Sequence, residues 1–215
     1  MTTELGLRER KKQRTRQVLS ETARRLFGER GFEQVSIAEI AREAEVSEQT
    51  VFNYFPTKED LVYSGLEAFE EQLLAAIRDR PHGQTLIAAF GEFILEPRGF
   101  LAAEDDAAAR ELIAVTRMIA ASPALLAREQ QIFARYTETL AQLIADETGS
   151  RGGDLRPYVA ANALIGVHRA LIAYVRDQLE SDATDRRRLA RQVRQRGENA
   201  LALLADGLGD YGAKR

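Results

Sequence analysis

An all-α protein is what this sequence predicts, on three observations. Apolar residues recur at helical spacing along most of the chain, no stretch sustains the alternation of a β-strand, and helix-stopping residues punctuate the pattern at helix-length intervals. The stops fall at Gly31, near Glu45, at Pro56, at 81–83, at 97–99, near Pro123, at 149–153 and at 181–184. They divide the 215 residues into about nine helices.

Composition excludes several functions. With 45% hydrophobic and 29% charged residues the chain has the balance of a globular protein. It contains no cysteine, which excludes disulfides and thiolate metal sites, and two distant histidines, His82 and His168, leave little for an imidazole site. No metal or other cofactor is implied. No apolar run approaches the ~20 residues that cross a bilayer, and the basic start MTTELGLRERKKQRTR lacks the apolar segment of a secretory signal. A cytoplasmic protein with no membrane partner is expected. The net charge of −3 argues against indiscriminate coating of nucleic acid, yet positive charge is concentrated locally. Residues 1–16 hold six basic side chains, Arg8, Arg10, Lys11, Lys12, Arg14 and Arg16, against Glu4 and Glu9.

The first helix is expected over 8–30, with Leu19, Ala23, Leu26 and Phe27 on its apolar face, a basic face opposite, and Gly31 placed to stop it. Ser36 followed by Glu39 has capping-box spacing and starts a short second helix at 37–44, with Ile37, Ile40 and Ala41 inward. After the turn Ala44-Glu45-Val46, Ser47 caps a third helix over 48–54. Two short helices joined by so tight a turn have the layout of a helix-turn-helix. Thr57 then caps a fourth helix, which opens with Lys58, Glu59 and Asp60 and is expected to run to about Arg80.

The stretch VSEQTVFNYFPTKEDL at 46–61 carries the chemistry. A seven-residue helix cannot persist on its own hydrogen bonds, so Val51 and Phe55 are expected to anchor it against Leu26, Phe27, Phe32 and Ile40. Gln49, Thr50, Asn53 and Tyr54 are then turned outward. Such side chains exchange hydrogen bonds with base edges and phosphate oxygens, as a recognition helix does in a major groove. The plainer reading is a small helical subdomain with incidental exposed polar groups, and the capping pattern argues against it.

The segment GFEQVSIAEIAREAEVSEQTVFNYFPTKEDL resembles the DNA-binding signature of the tetracycline-repressor (TetR) family of bacterial transcription regulators. The likeness covers roughly residues 17–66 and lies in the order of spaced features: Leu-Phe then Gly-Phe, a small hydroxyl before Ile-x-x-Ile-Ala, Val-Ser before the aromatic-rich helix, then lysine opening the next. The resemblance implies a helix-turn-helix DNA-binding domain with a basic amino-terminal extension at 1–64, and a helical ligand-binding and dimerisation domain at 65–215. It also implies roles. Gln49 and Thr50 correspond to positions that meet bases or adjacent phosphates, Tyr54 to a backbone-contacting position, and Lys58 to a phosphate-binding lysine. Ser36 lies where a helix N-terminus meets phosphate. The family often has tyrosine where this chain has Phe52, so Phe52 is left to pack or to touch a thymine methyl. The candidate DNA-contacting set is Ser36, Ser47, Gln49, Thr50, Phe52, Asn53, Tyr54 and Lys58. The basic extension is expected to add sequence-independent phosphate contacts; an ordinary solvated tail is the alternative.

Beyond residue 65 the helices are too apolar for a spacer. Leu126, Phe133, Tyr136, Leu140, Leu143 and Ile144 recur at core spacing in a helix at about 124–148. Residues 158–167 carry no charge and are apolar all round, which calls for burial on every side, in a deep core or against an identical subunit. Leu189, Val193, Ala200, Leu204 and Leu208 repeat the theme in the last helix. A homodimer through helices near 157–179 and 185–208 matches the four-helix interface that the resemblance implies, and two-fold dimers are the commonest oligomers. A dimer also suits DNA, since two recognition helices about 34 Å apart read a palindromic double-stranded operator. The arginines of DRRRLARQVRQR at 185–196 read as a solvated face paired with Glu180, Asp182 and Asp185, with a second DNA surface as the rival.

An unknown small-molecule effector is the remaining expected partner. Arg117, Met118, Asn162 and His168 are polar or soft residues among apolar helices, and Phe90, Phe93, Phe133 and Tyr136 supply walls. Each alone is more often an ordinary core or surface residue, and His168 could lie near the dimer seam. The functional expectation is a DNA-binding regulator, a repressor released by its effector. The rivals are a constitutive regulator or interaction module with a filled core, and a helical enzyme. No nucleophile-base pair, metal-ligand spacing or phosphate-cradling glycine loop supports the enzyme.

Overall fold

The computed structural model describes residues 6–102, 106–179 and 185–208. Glu4, Glu180 and Asp182, which the charge argument used, lie outside the described residues, as do the side chains of Glu9 and Leu208. Ten α-helices and one 3-10 turn make up the described secondary structure. They are α1 Leu7–Arg30, α2 Ile37–Glu43, α3 Glu48–Tyr54, α4 Lys58–Val62, α5 Leu66–Arg78, α6 Leu86–Leu95, the 3-10 turn Gly99–Ala102, α7 Asp106–Ala121, α8 Pro123–Thr148, α9 Arg156–Gln178 and α10 Arg186–Leu208.

Local chemistry sets most of these bounds. Gly31 adopts φ 84, a conformation open to glycine, and its N–H closes α1 on the Phe27 carbonyl. Ser36 and Glu39 form the capping box of α2, Ser47 accepts from the Thr50 N–H at the head of α3, and Thr57 with Asp60 forms a second capping box on α4. The expected helix from Lys58 to about Arg80 is broken at 63–65, which is why ten helices stand where nine were expected. Gly65 weakens helix propensity there. Tyr63 is buried and commits its hydroxyl to the Leu125 carbonyl at 2.8 Å, a long-range bond that local periodicity does not reveal.

The chain divides into two compact units: Met1–Gly65 with Ala114–Arg128, and Leu66–Ile113 with Glu129–Arg215. Helices α7 and α8 each contribute residues to both. In the first unit Leu19, Ala23, Leu26, Phe27, Phe32, Val35, Ile40, Val51 and Phe55 form the core. In the second, α10 packs on α6 and α9, and α5 packs on α6. Gly197 makes the close approach possible, since a Cβ there would collide with Leu95 and press on Leu171. Two ion pairs tie this unit: Arg80, itself buried, meets Glu147 at 2.8 Å, and Arg176 grips Glu129 with both terminal nitrogens.

Helix α9 departs from burial on every side. Pro157, Ala160, Ala161, Leu164, Ile165, Val167 and Leu171 are buried within the single chain, while Tyr158 is 51% and Val159 56% exposed. On α10, Leu203 is 76% exposed. By length and composition alone α9 is apolar enough to cross a membrane, its best window averaging a hydropathy of 1.3, a test that core helices also pass. The arginines of α10 are largely solvent-facing: Arg194 pairs with Glu198 at 3.1 Å, Arg196 lies over Tyr174, and Asp185 caps the helix through the N–H groups of Arg187 and Arg188.

Candidate nucleic-acid interface

Helix α3 is held from behind and displayed in front. Val51 and Phe55 are wholly buried, each contributing roughly 2 kcal/mol of burial to a helix too short to stand alone. On the other side Gln49 and Asn53 are exposed, Thr50 and Tyr54 half-buried, and Phe52 44% exposed. The display is pre-arranged. Gln49 donates from Nε2 to Asn53 Oδ1 at 3.2 Å, and the hydroxyls of Ser47 and Thr50 are hydrogen-bonded to each other at 2.8 Å. Polar groups so paired can exchange these bonds for base edges without first breaking into the core.

A residue read from the sequence only as part of the basic segment sets the pose of α3. Arg16 donates to the Tyr54 carbonyl at 3.2 Å, and its guanidinium lies 4.6 Å from the centre of the Phe55 ring. A cation at the last carbonyl of a helix favours its dipole. The available signal was helical phase: position 16 lies on the same face of α1 as Leu19 and Ala23, where an arginine needs a partner.

Ser36 and Lys58 flank α3 in sequence. The Ser36 hydroxyl and N–H both donate to the Glu39 carboxylate, which Arg30 also meets at 2.9 Å. The Ser36 N–H, then Arg30 and the Ser36 hydroxyl, hold the Glu39 carboxyl down to about 2. Lys58 is half-buried with its ammonium 4.2 Å from the Phe32 ring centre and 5.9 Å from that of Phe27, a cation–π contact that fixes the charge at the head of α4. Arg8, Arg10, Lys11, Lys12 and Arg14 are exposed and belong to α1, so the basic segment within the described residues is helical. Three residue pairs tie this head to the 114–128 segment of its own unit. Tyr63 donates to the Leu125 carbonyl, Arg128 grips Asp60 at 2.7 and 2.8 Å, and Ser122 donates to Glu33 at 3.0 Å.

Comparison with known proteins agrees with this geometry. The sequence profile for bacterial regulatory proteins of the tetR family matches residues 19–63, and that of the MftR C-terminal domain matches 86–208. The chain belongs to the TetR family. It is 34% identical over 158 residues to the HTH-type transcriptional regulator TcmR of Streptomyces glaucescens, covering 71% of this chain and 69% of that one. With MftR of Mycobacterium tuberculosis, a regulator named for mycofactocin biosynthesis, it shares 27% over 165 residues, 77% of this chain and 80% of the other. Among solved structures, NalD of Pseudomonas aeruginosa overlays at a TM-score of 0.51 and 22% identity, spanning 89% of this chain and 97% of NalD, which shows the shared fold. The protein is therefore a DNA-binding transcriptional regulator and not an enzyme.

TetR-family membership directs attention to the expected effector residues, which the structure distributes over three places. Phe93, Phe133, Tyr136 and His168 come together around Phe69: Phe69 lies 5.3 Å from Phe93, 6.3 Å from Tyr136 and 5.1 Å from His168, while Phe133 meets both Tyr136 and His168 edge-on. Phe90 is buried one turn before Phe93 on α6. Arg117 and Met118 lie apart from this cluster, on a cleft of about 440 Å³ against Phe27 and Phe32 in the DNA-reading unit. Asn162 is exposed on α9 and bonds the Tyr158 carbonyl. A larger groove of about 780 Å³, lined by Leu95, Leu201 and neighbours on α6 and α10, includes none of the expected residues.

Within the cluster, burial and then the charge of Arg98 push the His168 imidazole down to about 4, so it is neutral at physiological pH. Its Nδ1 is buried with no hydrogen-bond partner. Phe69 and Arg98 were not singled out in the sequence. A phenylalanine at core spacing and an arginine in a loop carry no local signal of meeting.

Proposed function

We propose that this TetR-family regulator represses transcription as a cytoplasmic homodimer on a palindromic operator and leaves it when a small molecule enters the carboxy-terminal unit. The observation that carries the reading is the two-sided build of α3, with Val51 and Phe55 wholly buried behind the exposed Gln49, Phe52 and Asn53. Gln49 and Thr50 read base edges, Asn53 and Tyr54 reach neighbouring groups, and Ser36, Ser47 and Lys58 meet phosphate. The apolar strip of Tyr158 and Val159 on α9, with Leu203 on α10, supports an isologous interface with a second copy.

Release requires an effector that favours one pose of the reading head over another. Support for a route comes from the bonds of Tyr63 and Asp60 to Leu125 and Arg128, because these fasten α4 to the first turns of α8. A shift of α8 on ligand binding then draws Lys58 and α3 with it. Typical coupling of ~1–3 kcal/mol weakens operator binding roughly 5- to 150-fold.

Selection from a random DNA library with purified protein tests the reading. The expected outcome is a palindromic consensus with half-sites about 10 base pairs apart, centre to centre. A consensus without two-fold symmetry, or none, contradicts it.

A further inference from the structure

The aromatic cluster of the carboxy-terminal unit is built asymmetrically. Phe133 and Tyr136 are buried, whereas Phe69, Phe93 and His168 are half-buried. Against two of the half-buried rings lies a planar group supplied by the chain itself. The Arg98 guanidinium sits 4.0 Å from the centre of Phe93 and 6.0 Å from that of Phe69. Its carrier is the loop between α6 and the 3-10 turn, where it pairs with Glu96, a largely exposed carboxylate, and donates to the Phe93 and Glu96 carbonyls. Displacing its guanidinium from the rings exchanges these bonds for bonds to an incoming anion.

Two further facts define what would take its place. The surroundings of the cluster are basic: Arg135 and Arg169 lie 5.8 Å from the ring centres of Tyr136 and Phe133, Arg135 pairs with Glu70 at 3.1 Å, and Arg98 pairs with Glu96. Among the described residues no carboxylate lies within ion-pair distance of Arg169. The second fact is the buried Nδ1 of His168, a polar atom that a ligand can satisfy. A planar ring suits the faces of Phe69 and Phe93, a negative charge suits the arginines, and an oxygen suits His168. A cationic ligand would meet three arginines, and an aliphatic acid would forgo the ring contacts.

We propose that the effector is a planar aromatic carboxylate, its ring replacing the Arg98 guanidinium against Phe69 and Phe93 and its carboxylate held by the displaced Arg98 and by His168. This rests on the reading that the carboxy-terminal unit takes an effector.

The test uses four probes on the full chain, measured by calorimetry: 2-naphthoate, 2-naphthamide, 2-naphthylmethylammonium and cyclohexylacetate. Naphthoate is expected to bind at least tenfold more tightly than the other three. Arg98→Met is expected to abolish the preference over naphthamide, Arg98→Lys to restore part of it, and His168→Phe, which keeps the ring packing, to weaken naphthoate severalfold. Equal binding of the ammonium probe, a preference unchanged in Arg98→Met, or no naphthoate binding at millimolar concentration overturns the assignment. Operator release is followed in parallel by fluorescence anisotropy. Naphthoate that binds with the expected preferences but leaves DNA affinity unchanged refutes the release step and upholds the ligand class. A compound of another class that releases the operator, with naphthoate inert, does the reverse.

Discussion

Arg16 links the basic helix to the reading helix through one hydrogen bond to a helix-terminal carbonyl and one ring contact. Together such interactions contribute about 1–2 kcal/mol. Arg16→Ala is accordingly expected to lower unfolding free energy by about that amount in urea titrations and to weaken operator binding roughly tenfold, because α3 loses its fixed pose. His168 gives a residue-scale prediction of a different kind. Its pKa lies near 4 in the folded state and near 6.5 when unfolded, so the unfolded chain binds the extra proton between those values. The contribution of neutral His168 to stability is complete above about 6.5 and is lost as pH falls toward 4. Denaturation at pH 7.5 and at pH 5 should show a smaller loss of stability for His168→Phe than for the wild type. An equal loss in the two proteins contradicts the burial argument.

The elements of the amino-terminal unit were legible because their signals are local. Ser36, Ser47 and Thr57 precede their helices as caps, and Val51 and Phe55 fall on the inward side of a seven-residue segment. What was illegible depends on contacts distant in sequence. Tyr63, the residue that follows α4, meets Leu125 through its hydroxyl, 62 residues away, and Ser122 meets Glu33 across 89. The cluster around Phe69 likewise gathers side chains from α5, α6, α8 and α9, so its membership could be guessed only in part. Between α2 and α3, Glu45 adopts φ 55, a left-handed conformation that costs a non-glycine residue about 1–2 kcal/mol. Glycine avoids this cost but loses more chain entropy on folding, so Glu45→Gly is expected to raise stability by about 0.5–1 kcal/mol. Calorimetric melting checks this, and a lower midpoint contradicts it. Helix α1 carries its own prediction. Replacing Arg10, Lys11 and Lys12 with alanine should weaken operator and random DNA alike and reduce the slope of log affinity against log salt by up to about 3. An unchanged slope would show that this face of α1 does not meet phosphate.

At the scale of the whole molecule, a net charge of −3 with a basic first helix concentrates positive charge locally in a chain that is acidic in sum. The second unit leaves Tyr158, Val159 and Leu203 exposed on α9 and α10, apolar side chains that the proposed second copy would cover. The proposed DNA recognition rests on the outward edge of α3, and one measurement reaches it most directly. Operator and scrambled-sequence affinities are compared for the wild type and for the Gln49→Ala/Thr50→Ala variant, with fold and dimeric state verified by circular dichroism and sedimentation. The predicted result is a loss of discrimination of at least tenfold, about 1–3 kcal/mol per base contact removed, with affinity for scrambled DNA nearly unchanged. A folded dimer that keeps its full preference for the operator would contradict the assignment of α3 as the element that reads DNA.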